Sequence, residues 1–483
     1  MSDNSPALPA NRQGPNPMTH QPEPVPTPYD LVIKNGAVVS ADEVFPADVA
    51  VSGETIAAIG RDLRGRREID AAGKLVIPGG IDIHVHLQMP IGRFTSTDDF
   101  YHGTRAAAAG GTTAIVDFVE TAPEETMLQA LAARQALARD KVVIDYGLHM
   151  TIGPGDIAKL DQVAAARQAG CGSFKLYMAY GLRLTDGELL LALEAIRDAG
   201  GLPVVHAENW DVITTLIRRN LAEGRTTPHW HPRSRPAALE AEAAGRVIDI
   251  AAWVGVPLHI FHVSCEATAI RIAAAKDRGL PVTGETCPQY LYLTQDVYDR
   301  PGVEGALPVC SPPLRPAADR GALWTALQSG ALDLVTTDHC PFTAAEKATG
   351  LNDYSAIPGG VPSIQSRLSL VYDGLVNRAG DDGNDVEDAL CRWVDVCATT
   401  PARLLGFTNK GRLLPGYDAD IVIFDPQRPQ TISAQTLCET AGWTPYEGLT
   451  LRGSPVVTLS RGEVVAEGGR PTGAAGRGRF VAR

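Results

Sequence analysis

Residues 74–86, with the sequence KLVIPGGIDIHVH, separate two different patterns along the chain. Before this stretch, short β-rich runs such as LVIKNGAVVS at 31–40 alternate with glycine turns, which is typical of small antiparallel strands. After it, apolar strands alternate with amphipathic helices, whose apolar residues recur at spacings of three and four. Such helices are predicted at 124–140, 187–200 and 267–279. The quoted stretch therefore marks the beginning of a larger domain with strand–helix alternation.

Eight apolar strands follow one another in this alternating region. They are predicted at 81–86, 112–118, 142–150, 173–180, 202–207, 257–263, 281–286 and 333–338. Eight consecutive strand–helix units favour an α/β fold of the (β/α)8 TIM-barrel type. The main alternative is a doubly wound open sheet. An open sheet would collect its functional residues at one switch point, whereas the candidate residues here are spread over many strands.

The short-strand pattern returns after the barrel region, in GRLLPGYDADIVIFDP and SPVVTLSRGEVVAEGG. Neither flank has enough strands to be stable alone, so we predict that 29–78 and 411–470 pair into one small β-sandwich domain. The barrel is then expected to span 79–410. A proline-rich segment, 1–28, is predicted to be a disordered tail, and a glycine- and arginine-rich segment, 471–483, a flexible one.

Composition excludes several classes of protein. The chain has 483 residues, 43 Lys and Arg against 56 Asp and Glu, and a net charge of -13 without a basic run, which argues against nucleic-acid binding. No apolar stretch reaches the ~20 residues needed to cross a bilayer, so no membrane partner is expected. The beginning of the chain shows no secretory signal. Eight cysteines without a CxxC pair indicate reduced thiols, and we expect a cytoplasmic protein.

Candidate metal ligands lie at the ends of four predicted strands. His84 and His86 are two positions apart, so on a strand both point to the same face, at the end of the barrel where active sites lie. For this pair alone, two hydrogen-bonded histidines are the alternative. His206, His262 and Asp338 end three further strands, and a buried carboxylate requires a compensating cation. The set therefore predicts a metal site. By the same alternation His259 and Phe261 should point away, toward the helices.

Lys175 lies within the apolar run SFKLYMAY. A buried lysine is seldom unpaired, because desolvation of an ammonium group is costly. One interpretation is a salt bridge to a core carboxylate. The other is that the neutral amine reacts with carbon dioxide to form a carbamate, an anion whose two oxygens can bridge two metal ions.

Taken together, the motifs IDIHVH, SFKLYMAY, VVHAEN, HIFHVS and TTDHCPF resemble the dihydropyrimidinase/hydantoinase branch of the amidohydrolase superfamily. The likeness runs from about residue 30 to 470 and includes MPIGRFTSTDDF, GETCPQYLYL and CSPPLR. It implies a barrel with a small β-sandwich and a homotetramer. It also implies two zinc ions per subunit, bridged by N6-carboxylysine at Lys175. The implied reaction opens the ring of a small cyclic amide, a dihydropyrimidine or a 5-substituted hydantoin, to an N-carbamoyl amino acid.

The resemblance also assigns roles to single residues. His84 and His86 would hold the more buried metal together with Asp338, which would also transfer the proton during catalysis. His206 and His262 would hold the more exposed metal. Substrate would be contacted by Tyr180, which stabilises the oxyanion, by the backbone of Ser311, and by the position now occupied by Gly359. The family commonly has Asn at this last position, in an IPNG segment, where this chain reads IPGG at 357–360.

The loop after the first barrel strand carries Met89, Ile91 and Phe94, an unusual apolar content for a loop at the barrel mouth. One interpretation is that Met89 and Phe94 line the pocket for the ring substituent. The other is that they pack beneath neighbouring loops or against another subunit.

The sequence also bears on three alternative functions of proteins with this fold. A dihydroorotase usually has Arg two residues after HxH, whereas Leu87, Gln88 and Met89 follow His86 here. Allantoinase, or another cyclic-imide hydrolase, stays an alternative. Non-catalytic scaffold relatives lose metal ligands, whereas all six ligand positions are filled in this chain.

Overall fold

A computed structural model of the chain describes residues 28–383 and 385–483. Apart from residue 28, the predicted tail 1–28 lies outside the described residues. Among the described residues, no helix combines the length and the apolar character needed to cross a membrane.

The described strands belong to three sheets. In chain order they are β1 (Tyr29–Val39), β2 (Val44–Ser52), β3 (Thr55–Gly60), β4 (Gly65–Asp70), β5 (Leu75–Pro78), β6 (Gly80–Asp82), β7 (Pro90–Ile91), β8 (Phe94–Thr95), β9 (Thr112–Val119), β10 (Asp145–Ile152), β11 (Ser173–Tyr177), β12 (Leu202–His206), β13 (Leu258–Ile260), β14 (Val282–Thr286), β15 (Leu334–Val335), β16 (Ile421–Thr431), β17 (Thr450–Ser460), β18 (Glu463–Glu467) and β19 (Arg470–Pro471). Strands β7 and β8 form a small hairpin by themselves.

The two flanks of the chain build one sheet, as predicted. Its strand order is β19-β18-β17-β16-β5-β1-β2-β3, and β4 pairs with β1. Strand β5 from the first flank pairs antiparallel with β16 from the second, with Leu75 opposite Phe424. Apolar side chains from both flanks, such as Ile33, Val49 and Leu459, share one buried core. Neither flank could bury this surface alone.

Eight parallel strands form the barrel, in the order β15-β14-β13-β12-β11-β10-β9-β6. The first and last strands are joined through a buried side chain: Arg367 donates to the carbonyls of Ile81 (3.0 Å) and Val335 (2.9 Å). The backbone N–H of His86 also donates to His339 O (2.8 Å). This near-closed cylinder confirms the TIM-barrel prediction and makes the open-sheet alternative wrong.

Helices surround the barrel and connect its strands. They are α1 (Phe100–Ala109), α2 (Met127–Arg139), α3 (Val163–Gln168), α4 (Asp186–Asp198), α5 (Trp210–Ala222), α6 (His231–Ser234), α7 (Ala237–Val254), α8 (Glu266–Asp277), α9 (Pro288–Tyr292), α10 (Val303–Ala306), α11 (Ala317–Ser329), α12 (Ala344–Ala348), α13 (Arg367–Tyr372), α14 (Arg378–Asp382), α15 (Val386–Val394) and α16 (Thr400–Leu405). Helices α2 and α4 begin at capping boxes, in which Thr126 and Thr185 accept from the third residue of each helix. These caps explain why both predicted helices begin where they do.

Short 3₁₀ and π segments complete the connections. They are Pro154–Gln162, Pro228–Trp230, Gln295–Asp299 and Tyr354–Ala356 as 3₁₀ helices, and Asp373–Asn377 and Asp395–Thr399 as π turns.

The segment 471–483 packs against the barrel, so the expectation of a flexible tail is wrong. Arg483 is 8% exposed, and its guanidinium donates to Leu148 O (2.6 Å) and Ser173 Oγ (3.3 Å). The ring of Phe480 lies 5.6 Å from that of Tyr146. A glycine- and arginine-rich composition is typical of loose segments, but it does not reveal that each arginine has hydrogen-bond partners elsewhere in the fold.

Candidate metal centre

His84, His86 and Asp338 meet at the carboxyl end of the barrel. The Nε2 atoms of both histidines lie 3.1 Å from the same oxygen, Asp338 Oδ1. His84 and Asp338 are 1% and 8% exposed. Asp338 has a φ of 50°, a left-handed conformation that is uncommon outside glycine and that turns its carboxylate toward the histidines. One potential ligand atom from each residue lies within 4.8 Å of the others, as expected for ligands around one metal ion.

His206 and His262 form a second pair beside the first. Their nitrogens Nδ1 and Nε2 are 2.8 Å apart, and their side chains are buried. Burial lowers the pKa of both imidazoles, so both are neutral near pH 7, which is the form that binds metals. The ring centroids of His84 and His262 are 5.4 Å apart, so the two pairs belong to one site.

Lys175 lies close to both pairs and has no salt bridge among the described residues. Its Nζ faces aromatic rings instead, 4.1 Å from the centroid of Phe261 and 4.7 Å from that of Tyr177. Burial lowers the pKa of this amine to about 7, although Asp338 and Glu285 oppose the shift. The interpretation of Lys175 as half of an ion pair with a core carboxylate is therefore wrong, and a substantial fraction of the amine is neutral at physiological pH.

Two buried glutamates hold the histidines from behind. Glu285 Oε1 lies 2.6 Å from His84 Nδ1, and Glu208 Oε2 lies 2.8 Å from His206 Nε2. Arg235 forms an ion pair with Glu208. Although burial opposes ionisation, Arg235 and His206 hold the pKa of Glu208 at about 2. Carboxylates of this kind fix the tautomer and orientation of a metal-binding imidazole.

Sequence reasoning missed both glutamates, although signals for them exist. Glu208 follows His206 by two positions in VVHAEN, and Glu285 is a carboxylate inside the buried strand β14. Either pattern indicates a buried carboxylate that needs a partner.

The predicted orientation around His262 is also wrong. Strand β13 ends at Ile260, and His262 has a φ of 41°, so strand alternation does not extend to it. Phe261 points into the barrel, with its ring centroid 4.0 Å from that of His84. His259 Nε2 lies 3.1 Å from Glu285 Oε2, so this histidine faces the interior and supports the site through Glu285.

A cavity of about 850 Å³ opens above the histidines, and four of the five predicted substrate contacts line it. These are Tyr180, Ser311, Gly359 and Met89. Burial raises the pKa of Tyr180 to about 12, so its hydroxyl stays protonated and can donate a hydrogen bond. Tyr180 has a φ of 68°, and its ring lies 5.2 Å from that of His206.

Phe94, in contrast, is not part of the cavity wall. Its ring packs edge-on against Phe342 at 6.2 Å, and Arg93 lies over it. Met89 is 4% exposed and packs on Phe118 and Phe261, while Ile91 lines the cavity. The expectation for Phe94 as a wall residue is therefore not met, because β7 and β8 form a hairpin that directs its side chain to a neighbouring loop.

A second acidic cluster, formed by Asp145, Asp418 and Asp420, lies outside the cavity. The ammonium group of Lys410 donates to all three, at 2.7, 2.7 and 2.8 Å. The lysine fills the position that a cation would take, so this cluster is a buried ion-pair network.

The fold is a TIM barrel with a candidate metal centre at its carboxyl end, and comparison with known proteins assigns the chain to a family. The model of the amidohydrolase family matches residues 75–465. D-hydantoinases of Streptomyces coelicolor and Geobacillus stearothermophilus are each 40% identical over 463 and 459 residues, covering 94% of this chain and 97% and 96% of theirs. A crystal structure of dihydropyrimidinase from Brevibacillus agri has a TM-score of 0.89 at 40% identity, covering 94% of this chain and 98% of that one. The chain belongs to the amidohydrolase family and, within it, to the hydantoinase and dihydropyrimidinase group.

Proposed function

We propose that this chain is a binuclear zinc hydrolase that opens dihydropyrimidines or 5-substituted hydantoins to N-carbamoyl amino acids. The observation that carries the proposal is the convergence of two histidine pairs, one aspartate and one unpaired buried lysine at the floor of a single cavity. The names of its relatives support cyclic amides as the substrate class.

The residues present fit two divalent metal ions. His262 Nδ1 is a buried nitrogen without a hydrogen-bond partner among the described residues. His206 Nδ1 and His262 Nε2 face each other, and the Nε2 atoms of His84 and His86 face one oxygen of Asp338. His84, His86 and Asp338 would hold one ion, and His206 and His262 the other. Imidazole and carboxylate are ligands that zinc accepts.

Carboxylation of Lys175 would complete the site. The neutral amine attacks the carbon of carbon dioxide, a new N–C bond forms, and one proton is released, which leaves a carbamate of charge minus one. Burial favours this step because it keeps part of the amine neutral near pH 7. The product exchanges a buried cation for an anion between two metal sites, so it removes the electrostatic conflict that an ammonium group would create there.

The ions would supply a nucleophile at neutral pH, by lowering the pKa of coordinated water, and would polarise the amide carbonyl. Asp338 is placed to accept the proton of the attacking water and to deliver it to the departing ring nitrogen. Tyr180 donates to the oxygen that becomes negative, a contribution of roughly 3–4 kcal/mol if well aligned. The backbone groups of Ser311 and position 359 would hold the imide edge of the ring.

Gly359 is compatible with this mode of binding. A Cβ at this position would meet its nearest neighbour, Ser311 Oγ, at 3.8 Å, so the backbone here does not require glycine for lack of space. Since contact through the main chain survives the loss of a side chain, ring binding is retained. The missing side chain leaves room beside Ser311, and substrate preference is expected to differ from that of relatives with Asn.

We also propose a homotetramer in the cytoplasm. All eight cysteines are free thiols, which agrees with a reducing compartment. The tetramer follows from the resemblance alone, and light scattering of the purified protein tests it.

The proposal is tested by metal analysis together with a substrate panel of 5,6-dihydrouracil, hydantoin, 5-substituted hydantoins and allantoin. We expect two zinc ions per subunit and hydrolysis of the first three. Turnover of allantoin alone would favour the allantoinase alternative, and a metal-free or fully inactive protein would favour a scaffold role.

A further inference from the structure

A second buried lysine, Lys347, lies outside the metal-ligand set. It belongs to the short helix α12, which begins at a capping box formed by Thr343 and Glu346. The side chain is 0% exposed and forms no salt bridge within 4 Å among the described residues. Its Nζ donates to two backbone carbonyls, Val309 O and Gly360 O, each at 2.7 Å.

These two carbonyls belong to the two loops that carry the proposed ring contacts. Val309 precedes Ser311 by two positions, and Gly360 follows Gly359 directly. The loops also meet directly, since Gly360 N–H donates to Val309 O at 2.9 Å. All four residues line the cavity. The ammonium group of Lys347 therefore joins the loops immediately behind the surface that faces the substrate.

Burying an ammonium group without a carboxylate is unfavourable, and an apolar side chain of similar length would avoid that cost. Burial indeed lowers the pKa of Lys347 to about 7. Removal of the ammonium would leave two inward carbonyls without this donor, and the loops would relax to find other partners. The Lys347 amine donates to both carbonyls at once, and even its neutral form keeps two N–H donors, so this contact fixes the separation of the two loops.

We propose that Lys347 is a positioning residue that holds Ser311 and Gly359 at the spacing needed to bind the imide edge of the ring. The inference rests on the proposed function in one respect, namely that these two positions contact substrate.

The test is Lys347→Met, which keeps the length of the side chain and removes the ammonium. We expect KM for a hydantoin that the wild type hydrolyses to rise about ten-fold, with kcat changed much less, because ground-state and transition-state binding are weakened together. Zinc content should stay at the wild-type level, since Lys347 is not a ligand.

Lys276→Met is the matched control. Lys276 also donates to two backbone carbonyls, Gly330 O and Ala331 O, both at 3.0 Å, and in addition pairs with Asp333 at 2.8 Å, but these groups lie at the start of β15, at the opposite end of the barrel. Its loss should lower the melting temperature without changing KM. If Lys347→Met lowers the melting temperature but leaves KM unchanged, as the control does, the positioning role is wrong.

Should Lys347→Met fail to fold, Lys347→Gln is measured by the same criteria, because its polar amide is one atom shorter than the lysine side chain and cannot reach both carbonyls. A KM within two-fold of the wild type in that variant would equally overturn the inference. Failure of the proposed function is recognised separately, because the wild type itself would then lack zinc or hydrolyse no ring.

Discussion

Lys175 is the residue on which the proposed site depends most, because its carbamate would bridge the two metal ions. We predict that Lys175→Ala loses most bound zinc and most hydrolytic activity, since the bridging anion cannot form. Bound zinc is measured by metal analysis of the purified variant, and hydrolytic activity by its rate with hydantoin. Short carboxylic acids should restore part of each, because they can occupy the space of the carbamate. Two zinc ions and full activity in Lys175→Ala would contradict the proposed modification.

Asp338 is assigned a second role beyond holding metal, the transfer of a proton. Asp338→Asn keeps the size of the side chain but removes the base, so turnover should fall by ~10²–10⁴, the range typical of general acid–base catalysis. The measurement is kcat in protein whose zinc content and circular dichroism match the wild type. A near-normal kcat in such protein would exclude the proton-transfer role.

At this scale the sequence predicts which side chains meet at the barrel mouth, but not which residues support them. His84, His86 and Asp338 follow apolar strands, so their place at the barrel mouth can be inferred from the pattern. Glu285 and Arg235 act through partners far away in the chain: Glu285 binds His84, and Arg235 binds Glu208. Their roles depend on tertiary pairing, which strand patterns do not encode.

Among the elements, the loop around β7 and β8 decides the shape of the cavity next to the metal site. Met89 and Ile91 lie at the cavity, whereas Phe94 packs on Phe342. We predict that Met89→Ala changes the ratio of rates for small and bulky 5-substituted hydantoins by the equivalent of ~1–3 kcal/mol per group. Phe94→Ala is the control and should leave that ratio unchanged. Equal ratios in both variants would mean that the substituent lies elsewhere.

The barrel strands show how far the alternation of side-chain direction can be predicted beyond the end of a strand. Strand β13 ends at Ile260, two residues before His262, and β15 ends at Val335, three before Asp338. Both functional residues have left-handed backbones, so strand alternation does not assign the direction of the side chains beside them, such as Phe261. Strand order and number could be predicted, whereas the direction of side chains beyond the strand ends could not.

For the molecule as a whole, buried neutral histidines make stability depend on pH. Burial lowers the pKa of His231 and His259 to about 3 in the folded state. In the unfolded chain they titrate near 6.5, so below that pH the unfolded state binds more protons and gains stability. We predict that the free energy of unfolding falls between pH 7.5 and 5, by about 2 kcal/mol for each such histidine.

Denaturant unfolding at both pH values, in wild type and His231→Gln, measures the effect. Among the described contacts of His231, its Nε2 donates one hydrogen bond, to Cys310 O at 2.8 Å, and the amide of glutamine can donate in its place. The variant should show a smaller loss between the two pH values. His102→Gln, at a surface position, should lose as much as the wild type. An identical loss in His231→Gln would show that other groups determine the acid sensitivity.

The pairing of β5 with β16 also constrains the order of folding. Leu75 and Phe424 are neighbours in the sheet but lie about 350 positions apart along the chain. Closing so long a loop is slow by diffusion alone, because contact order limits folding rate. During synthesis, β1 to β5 are exposed while the barrel is made, with their edge unpaired until β16 emerges. A barrel that folds first would bring Pro78 close to Ile421 and shorten that search, so we expect the small sheet to be completed last, once the barrel has closed.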